Sequence, residues 1–374
     1  MKSLIWGGML LIACQCAALG QKAFDPSTPD GAMVAKIQKE NDAAQRQALL
    51  EEFVKTYPSS AQAPWAWAQL QGIYLKAQQY DKALDAGQKS LAGDPDDVEV
   101  AYNNLKAAEG QNDPDGVAKW AAETSRAARK EIQAFKPGVD DKSRLDYDKQ
   151  VDTYTEYSVY ATSLKATDPA KIIALVESLE QRNPQSPYLS KAYGRYLNVL
   201  RQTGQNQKAG TAAEQEAERD PTNEDVLLVA GDYSMQTNTP DKTLTYATKL
   251  AEVMQTKPKP EGVSDADWQK KKETLTGISY WMQGVAYNSQ KHFSQADKSL
   301  RQALPLVKGN NQVLPLVLFQ LGVADFELGK ASKSRAMMQD ALKFSQQAAA
   351  LKSPIQEQAQ NNVKAISRVA GARR

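Results

Sequence analysis

The sequence predicts an all-α protein, a solenoid of about seven stacked helix pairs with a capping helix at its C-terminal end. Three observations point that way. Gln, Ala and Lys are abundant while alternating Val/Ile runs are scarce, and alanine and straight-chain residues give up little side-chain freedom in a helix. Aromatic, small and proline residues recur in one cadence along most of the chain, as repeated helix pairs require. A longer period lies over that cadence: Pro58, Ala83 and Pro95 return as Pro184, Ala209 and Pro221, each 126 positions later by subtraction.

Residues 1–20 read as a signal peptide. Lys2 supplies a positive n-region, Leu4 to Ala13 an apolar stretch, and Ala18 and Gly20 the small residues ahead of a cut before Gln21. The alternative is lipid attachment at Cys14, because Leu11-Ile12-Ala13-Cys14 resembles a lipobox; against it, the chain stays apolar through Leu19, where a tether would turn polar. Both cysteines, Cys14 and Cys16, lie in this segment, so a chain cut before Gln21 has no thiol for a disulfide, a nucleophile or a metal. Residues 21–63 read as an N-terminal helical segment whose helix ends at Tyr57-Pro58.

Residues 64–189 form a first block of three pairs. In its clearest pair Trp67, Leu70 and Tyr74 share one helix face, Ala83 marks a close crossing by the second helix, and Pro95 turns the chain into the next pair. Weaker copies lie near Tyr102 to Ala128 and Tyr154 to Pro184. Residues 190–314 form a second block. Its pairs are marked by Tyr193, Tyr196, Leu200, Gly204 and Ala209, then by Leu227, Gly231 and Pro240, then by Tyr280, Gly284, Tyr287, Phe293 and Ala296. Residues 315–374 hold a seventh pair (Leu318, Leu321, Gly329, then Met338, Ala341 and Leu342) and a closing helix near Ile355 to Val369. The stretches 136–150 and 257–275 read as loops leading into extended first helices, with Ser264 and Asp267 at capping-box spacing before Trp268.

Trp67-x-x-Leu70, Tyr74, Tyr80-x-x-Ala83 and Asp94-Pro95 resemble the tetratricopeptide (TPR) repeat, and the chain resembles an exported TPR protein of bacterial type. The resemblance implies a right-handed TPR-type solenoid whose first helices line a concave wall for a protein or peptide partner. The same face of each first helix carries Trp65, Asn103, Tyr154, Tyr157, Lys191, Asn198, Arg201, Asp232, Trp281, Asn288 and Phe319. Aromatic and arginine side chains are the usual anchors of protein interfaces. Lys191, Asn198 and Arg201 resemble the Lys/Asn/Arg clamp that some family members close on a C-terminal carboxylate, but Asp232 stands on the wall where the next pair would need Asn.

Chemistry finds little support. The single histidine, His292, falls in a turn, and no phosphate-binding glycine loop or nucleophile elbow is present. Asp94, Asp96, Asp97, Asp220 and Asp241 sit at helix starts, where the backbone favours negative charge. Net charge is +2 with both signs interspersed, which does not suit nucleic acid. After residue 20 no apolar run is long enough to span a membrane. The expected function is a non-catalytic exported scaffold, periplasmic or secreted, with no cofactor or metal, that binds protein or peptide through its groove. The alternatives are a lipoprotein of the outer-membrane-assembly class anchored at Cys14 and a hydrolase working through carboxylates alone.

Overall fold

The computed structural model describes residues 22–371, and among them there are seventeen α-helices and no strand. The segment read as a signal peptide, Cys14 included, lies outside the described residues. Two helices, α1 (Pro29–Lys39) and α2 (Ala43–Thr56), precede the pairs. The sequence reading had one helix ending at Tyr57. The chain breaks at residues 40–42 because Asp42 takes an extended backbone and caps α2, accepting the Gln45 N–H at 2.8 Å.

Seven pairs follow: α3 (Ala63–Lys76) with α4 (Tyr80–Leu91), α5 (Val98–Gly110) with α6 (Pro114–Ala134), α7 (Lys142–Lys165) with α8 (Pro169–Arg182), α9 (Pro187–Gln202) with α10 (Asn206–Arg219), α11 (Glu224–Gln236) with α12 (Pro240–Thr256), α13 (Asp265–Ser289) with α14 (Phe293–Val307), and α15 (Leu314–Ser332) with α16 (Arg335–Ala350). α17 (Gln356–Gly371) closes the chain. It buries Ala359 and Ile366 and exposes Gln358, Gln360, Asn361, Lys364 and Arg368. A polar outer face of this kind ends a stack. Among the described residues the architecture is all-α, built of helix pairs stacked one on the next within each unit.

One turn recurs between the two helices of a pair. Gln78, Asn112, Gly204, Asn238, Lys291 and Lys333 each take a left-handed backbone there. In five of these turns the next N–H reaches five residues back: Gln79 to Tyr74 O, Asp113 to Ala108 O, Gln205 to Leu200 O, Thr239 to Ser234 O and His292 to Tyr287 O, all between 2.8 and 3.1 Å. This satisfies a carbonyl that the helix end leaves open and reverses the chain in three or four residues.

The chain divides into two compact units, one ending at Tyr188 and the other beginning at Leu189. In the first, α3 packs on α5 and α5 on α7, so first helices form a continuous layer. Buried amides tie that layer: Gln71 Nε2 donates to Val100 O and to Asn104 Oδ1, both at 2.9 Å. Gly87 on α4 leaves the space, since a Cβ there would lie 2.2 Å from Asn104 Oδ1. Further along, Arg182 Nη1 donates to Ala121 O at 3.0 Å and to Thr155 Oγ1 at 3.1 Å, while Arg129 Nε donates to Asp152 Oδ2 at 2.9 Å, which fixes α6, α7 and α8 together.

In the second unit α11 packs on α13, α13 on α15 and α15 on α17. Gly284 of α13 meets Leu300 of α14 so closely that a Cβ would lie 2.3 Å from Leu300 Cγ. Ser264 caps α13, its Oγ accepting the Asp267 N–H at 3.1 Å, and Trp268 beyond it is buried. The nearly buried Glu224 carboxylate accepts both Lys257 and Lys271, so one side chain pins the loop before α13 and the start of that helix.

Two predictions follow from the turns and crossings. Gly204→Ala should cost about 1–2 kcal/mol, because a Cβ is strained in the left-handed region, whereas Asn238→Gly should leave stability unchanged or raise it. Ala209→Leu and Ala296→Leu should each cost about 1–3 kcal/mol, since both alanines are fully or almost fully buried and a larger side chain would overpack the site. Denaturant midpoints of the four variants measure both, and wild-type midpoints for Gly204→Ala or for both leucine variants would contradict the turn or the helix register.

Candidate interaction surface

Tyrosines crowd the first helices of the first unit. Tyr102 on α5 meets Tyr154 on α7 edge-on at 5.5 Å between ring centres. Tyr154 lies 6.0 Å from Tyr157, and Tyr157 lies 5.7 Å from Tyr188, the last residue of the unit, which stacks in turn on Tyr160 at 5.7 Å. Helical spacing accounts for the run: residues 154, 157 and 160 are three apart and fall on neighbouring positions along one side of α7.

Beneath the rings sits Glu109. Its carboxylate accepts the Tyr154 hydroxyl at 2.9 Å, the Ser158 hydroxyl at 2.6 Å and the Lys106 ammonium at 2.6 Å. Lys106 also donates to the Tyr154 oxygen at 2.8 Å and lies 4.9 Å from the centre of its ring. Burial, then the negative charge of Glu109, pushes the Tyr154 phenol far above its ordinary value. The phenol therefore stays a hydrogen-bond donor at every physiological pH, and the network holds the Tyr154 ring in one place.

The rings open onto a cleft of about 480 Å³. It is lined by Glu109, Asn112 and Pro114 around the turn from α5 to α6, by Tyr154, Tyr157, Ser158, Ala161 and Lys165 of α7, and by Asp168 and Lys171 at the start of α8. Lys171 pairs with Asp115 at 2.6 Å. Among the described residues three large apolar or aromatic side chains are exposed, and two of them, Tyr157 (45%) and Leu164 (42%), lie on α7 seven residues apart, two turns along one face. The cleft offers a fixed aromatic platform with hydroxyl, amide and ammonium groups at its rim. Its one central carboxylate is already neutralised.

The wall residues named from sequence all fall on first helices, but the structure does not bring them into one site. Tyr154 and Tyr157 meet in the cleft. Trp65 packs half-buried against the N-terminal core, and Asn103 lies half-buried on α5. In the second unit Lys191 and Asn198 are exposed on α9, while Arg201 donates to Asp232 at 3.2 Å and Asp232 also takes Gln236 Nε2 at 3.1 Å. The guanidinium of Arg201 is thus engaged by the very aspartate that replaces the clamp's asparagine. Trp281 and Phe319 pack half-buried on the core of α13 to α16. Asn288 donates to Gln320 O at 3.0 Å and to its Oε1 at 2.8 Å, which joins α13 to α15. Sequence reasoning missed Glu109, Lys106, Ser158, Tyr160 and Tyr188. The three-residue tyrosine spacing on α7 was the one signal for part of them.

His292 stands exposed at the start of α14, its ring 6.4 Å from Tyr287. Among the described residues no group of His, Cys, Asp and Glu is placed to hold a metal ion, and no helix is long and apolar enough to cross a membrane.

No family model and no curated protein matches the chain. Among solved structures it is similar to the P58(IPK) TPR domain (10% identity, 93% of this chain and 99% of that one, TM-score 0.28). It is similar also to the Cut9-Hcn1 hetero-tetramer of APC/C (12% identity, 92% and 84%, TM-score 0.26) and to yeast Tom70 (11% identity, 92% and 97%, TM-score 0.22).

Stability separates platform from support. Glu109→Ala should cost about 1–3 kcal/mol, because two hydroxyls and an ammonium lose a shared acceptor. Tyr157→Ala should cost about 1 kcal/mol or less, since nearly half of that ring is already in water. Equal losses in chemical denaturation would show Tyr157 to be core.

Proposed function

We propose that this chain is an exported, non-catalytic TPR scaffold that binds a protein or peptide segment on its first helices, with the tyrosine cleft of the first unit as its main contact. The carrying observation is Tyr157. It is a large aromatic side chain held by Tyr154 and Tyr188 yet 45% exposed over the cleft. Exposed, pre-ordered aromatic rings are the commonest anchors of protein interfaces, because they bury much area and lose little side-chain freedom. Trp281, the matching residue of the second block, contributes less to binding and more to packing, since it rests on the core of its own unit.

The Glu109 carboxylate is matched by Lys106 and two hydroxyls, so in this reading it orders the rings for a partner. Export rests on the charged, apolar and small-residue order of residues 1–20.

Two measurements check this. Intact mass of the mature chain should show loss of residues 1–20; a diacylglyceryl adduct at Cys14 would support the lipoprotein instead, and retention of residues 1–20 would overturn export. For a partner cross-linked and recovered from the cell envelope, Tyr157→Ala should weaken affinity by about 30-fold, the equivalent of about 2 kcal/mol, while the melting temperature stays within a few degrees. Trp281→Ala should do the reverse and lower the melting temperature. Unchanged affinity in Tyr157→Ala would remove the cleft from the interface.

A further inference from the structure

The seventh pair, in the second unit, carries a charge imbalance. Asp325 lies midway along α15 with no exposed surface. Arg301 of α14 donates Nη2 to Asp325 Oδ2 at 2.9 Å and Nε to Asp297 Oδ1 at 2.6 Å, and its Nη2 lies 3.8 Å from Asp340 Oδ2 of α16. One cation therefore serves three carboxylates. The other oxygen of Asp325, Oδ1, is buried without a hydrogen-bond partner.

The surroundings offer that oxygen no relief. The charged groups acting on Asp325 are Asp297 and Arg301 of α14 and Asp340 of α16. α13 meets α15 through the neutral Asn288–Gln320 bridge, and α17 brings Ile366 near Phe326. On α15 itself Glu327 and Lys330 pair with each other at 2.6 Å. Asp325 also shares a helix face with Gly322 and Gly329, three residues before it and four after. A Cβ on Gly322 would lie 2.2 Å from Ser345 Oγ of α16, and one on Gly329 would lie 2.9 Å from Met338 Sδ. α16 is pressed against this face with no room for a hydrating shell.

We propose that Asp325 is a proton-dependent latch: with its carboxyl protonated the α14–α15–α16 crossing closes, and with the carboxyl ionised the crossing loosens, so the C-terminal pair is held more firmly in acidic than in alkaline surroundings. A buried carboxyl with one unpartnered oxygen and two carboxylate neighbours keeps its proton far better than one in water. Burial, then the adjoining Asp297 carboxylate, raises it to about 7 against the opposing pull of Arg301. Between the ordinary carboxylate value and that point the folded chain holds a proton that the unfolded chain has released. Stability therefore falls as pH rises through that window and is level on either side. Phe319, on the same helix, is presented by a pair whose firmness varies with pH. The latch does not depend on the tyrosine cleft or on any partner.

Hydrogen exchange of the full mature chain at pH 5 and pH 8, corrected for the intrinsic exchange rates, tests it. Peptides covering residues 293–350 should lose at least about tenfold in protection at pH 8, the effect of a single unit of pKa shift, while those covering α3 to α6 do not. Asp325→Asn, which keeps the shape and removes the charge, should abolish the difference and keep the higher protection at both values. Asp297→Asn removes a like charge, so the loss of protection between pH 5 and pH 8 should be smaller, and this variant decides the matter if Asp325→Asn does not fold. Equal protection of the wild type at both pH values, a wild-type difference in Asp325→Asn, or an undiminished difference in Asp297→Asn would each overturn the latch.

Discussion

In the last two pairs the helices meet over small residues: Gly284, Gly322 and Gly329 admit side chains that a Cβ would displace, and Ala296 and Ala341 opposite are fully buried, as are Ala83 and, almost fully, Ala209 at the matching places of earlier pairs. That close crossing sets the rest. It brings the backbones near enough for a left-handed residue to reverse the chain in one tight turn, and the turn fixes which face of each first helix meets the next pair. A single pair leaves an apolar face uncovered, so the stack is held by neighbour against neighbour and needs a polar-faced helix such as α17 to end it.

The crossing residues are also what makes the fold legible in the sequence. Ala83, Ala209 and Ala296 stand out because small residues at a repeated distance from aromatics and prolines follow from geometry, and that geometry is local. The turns were half legible. Gly204 belongs to the visible cadence, while Gln78, Lys291 and Lys333 adopt the same left-handed backbone without any residue-type signal, because the surrounding helices impose it. The break before α2 was missed for a similar reason: an Asp cap inside a helical pattern reads as an ordinary surface residue. The cleft was the least legible part. Glu109 and Tyr154 lie 45 residues apart, and nothing periodic links an acid at the end of α5 to a phenol in the middle of α7. Tyr154 and Tyr157 were visible as wall residues; the carboxylate that orders them was not.

The two blocks keep one backbone plan and fill it differently. Gln71, Gly87 and Asn104, the buried amide tie of the first block, correspond at 126 positions to Leu197, Ala213 and Ala230. Tyr102, Lys106 and Glu109 correspond in the same way to Leu228, Asp232 and Met235, and Tyr154, Tyr157 and Ser158 correspond at 124 positions to Ile278, Trp281 and Met282. A polar platform in one copy is thus an apolar or differently charged surface in the other. Where the first block holds a tyrosine ring out over a cleft, the second lays a tryptophan on its own core. Packing tolerates the exchange because the crossing residues, not the wall residues, set the stack.

Position-specific photo-cross-linking in export-competent cells decides whether a partner sits on the first-helix side of the first unit. A photoreactive residue at Tyr157 or Lys165, both exposed at the cleft, should give one discrete high-mass adduct. The same residue at Lys119 of α6 or Gln215 of α10, both exposed on second helices, should give none. Adducts at the second-helix positions with none at the cleft would put the partner on the second helices instead.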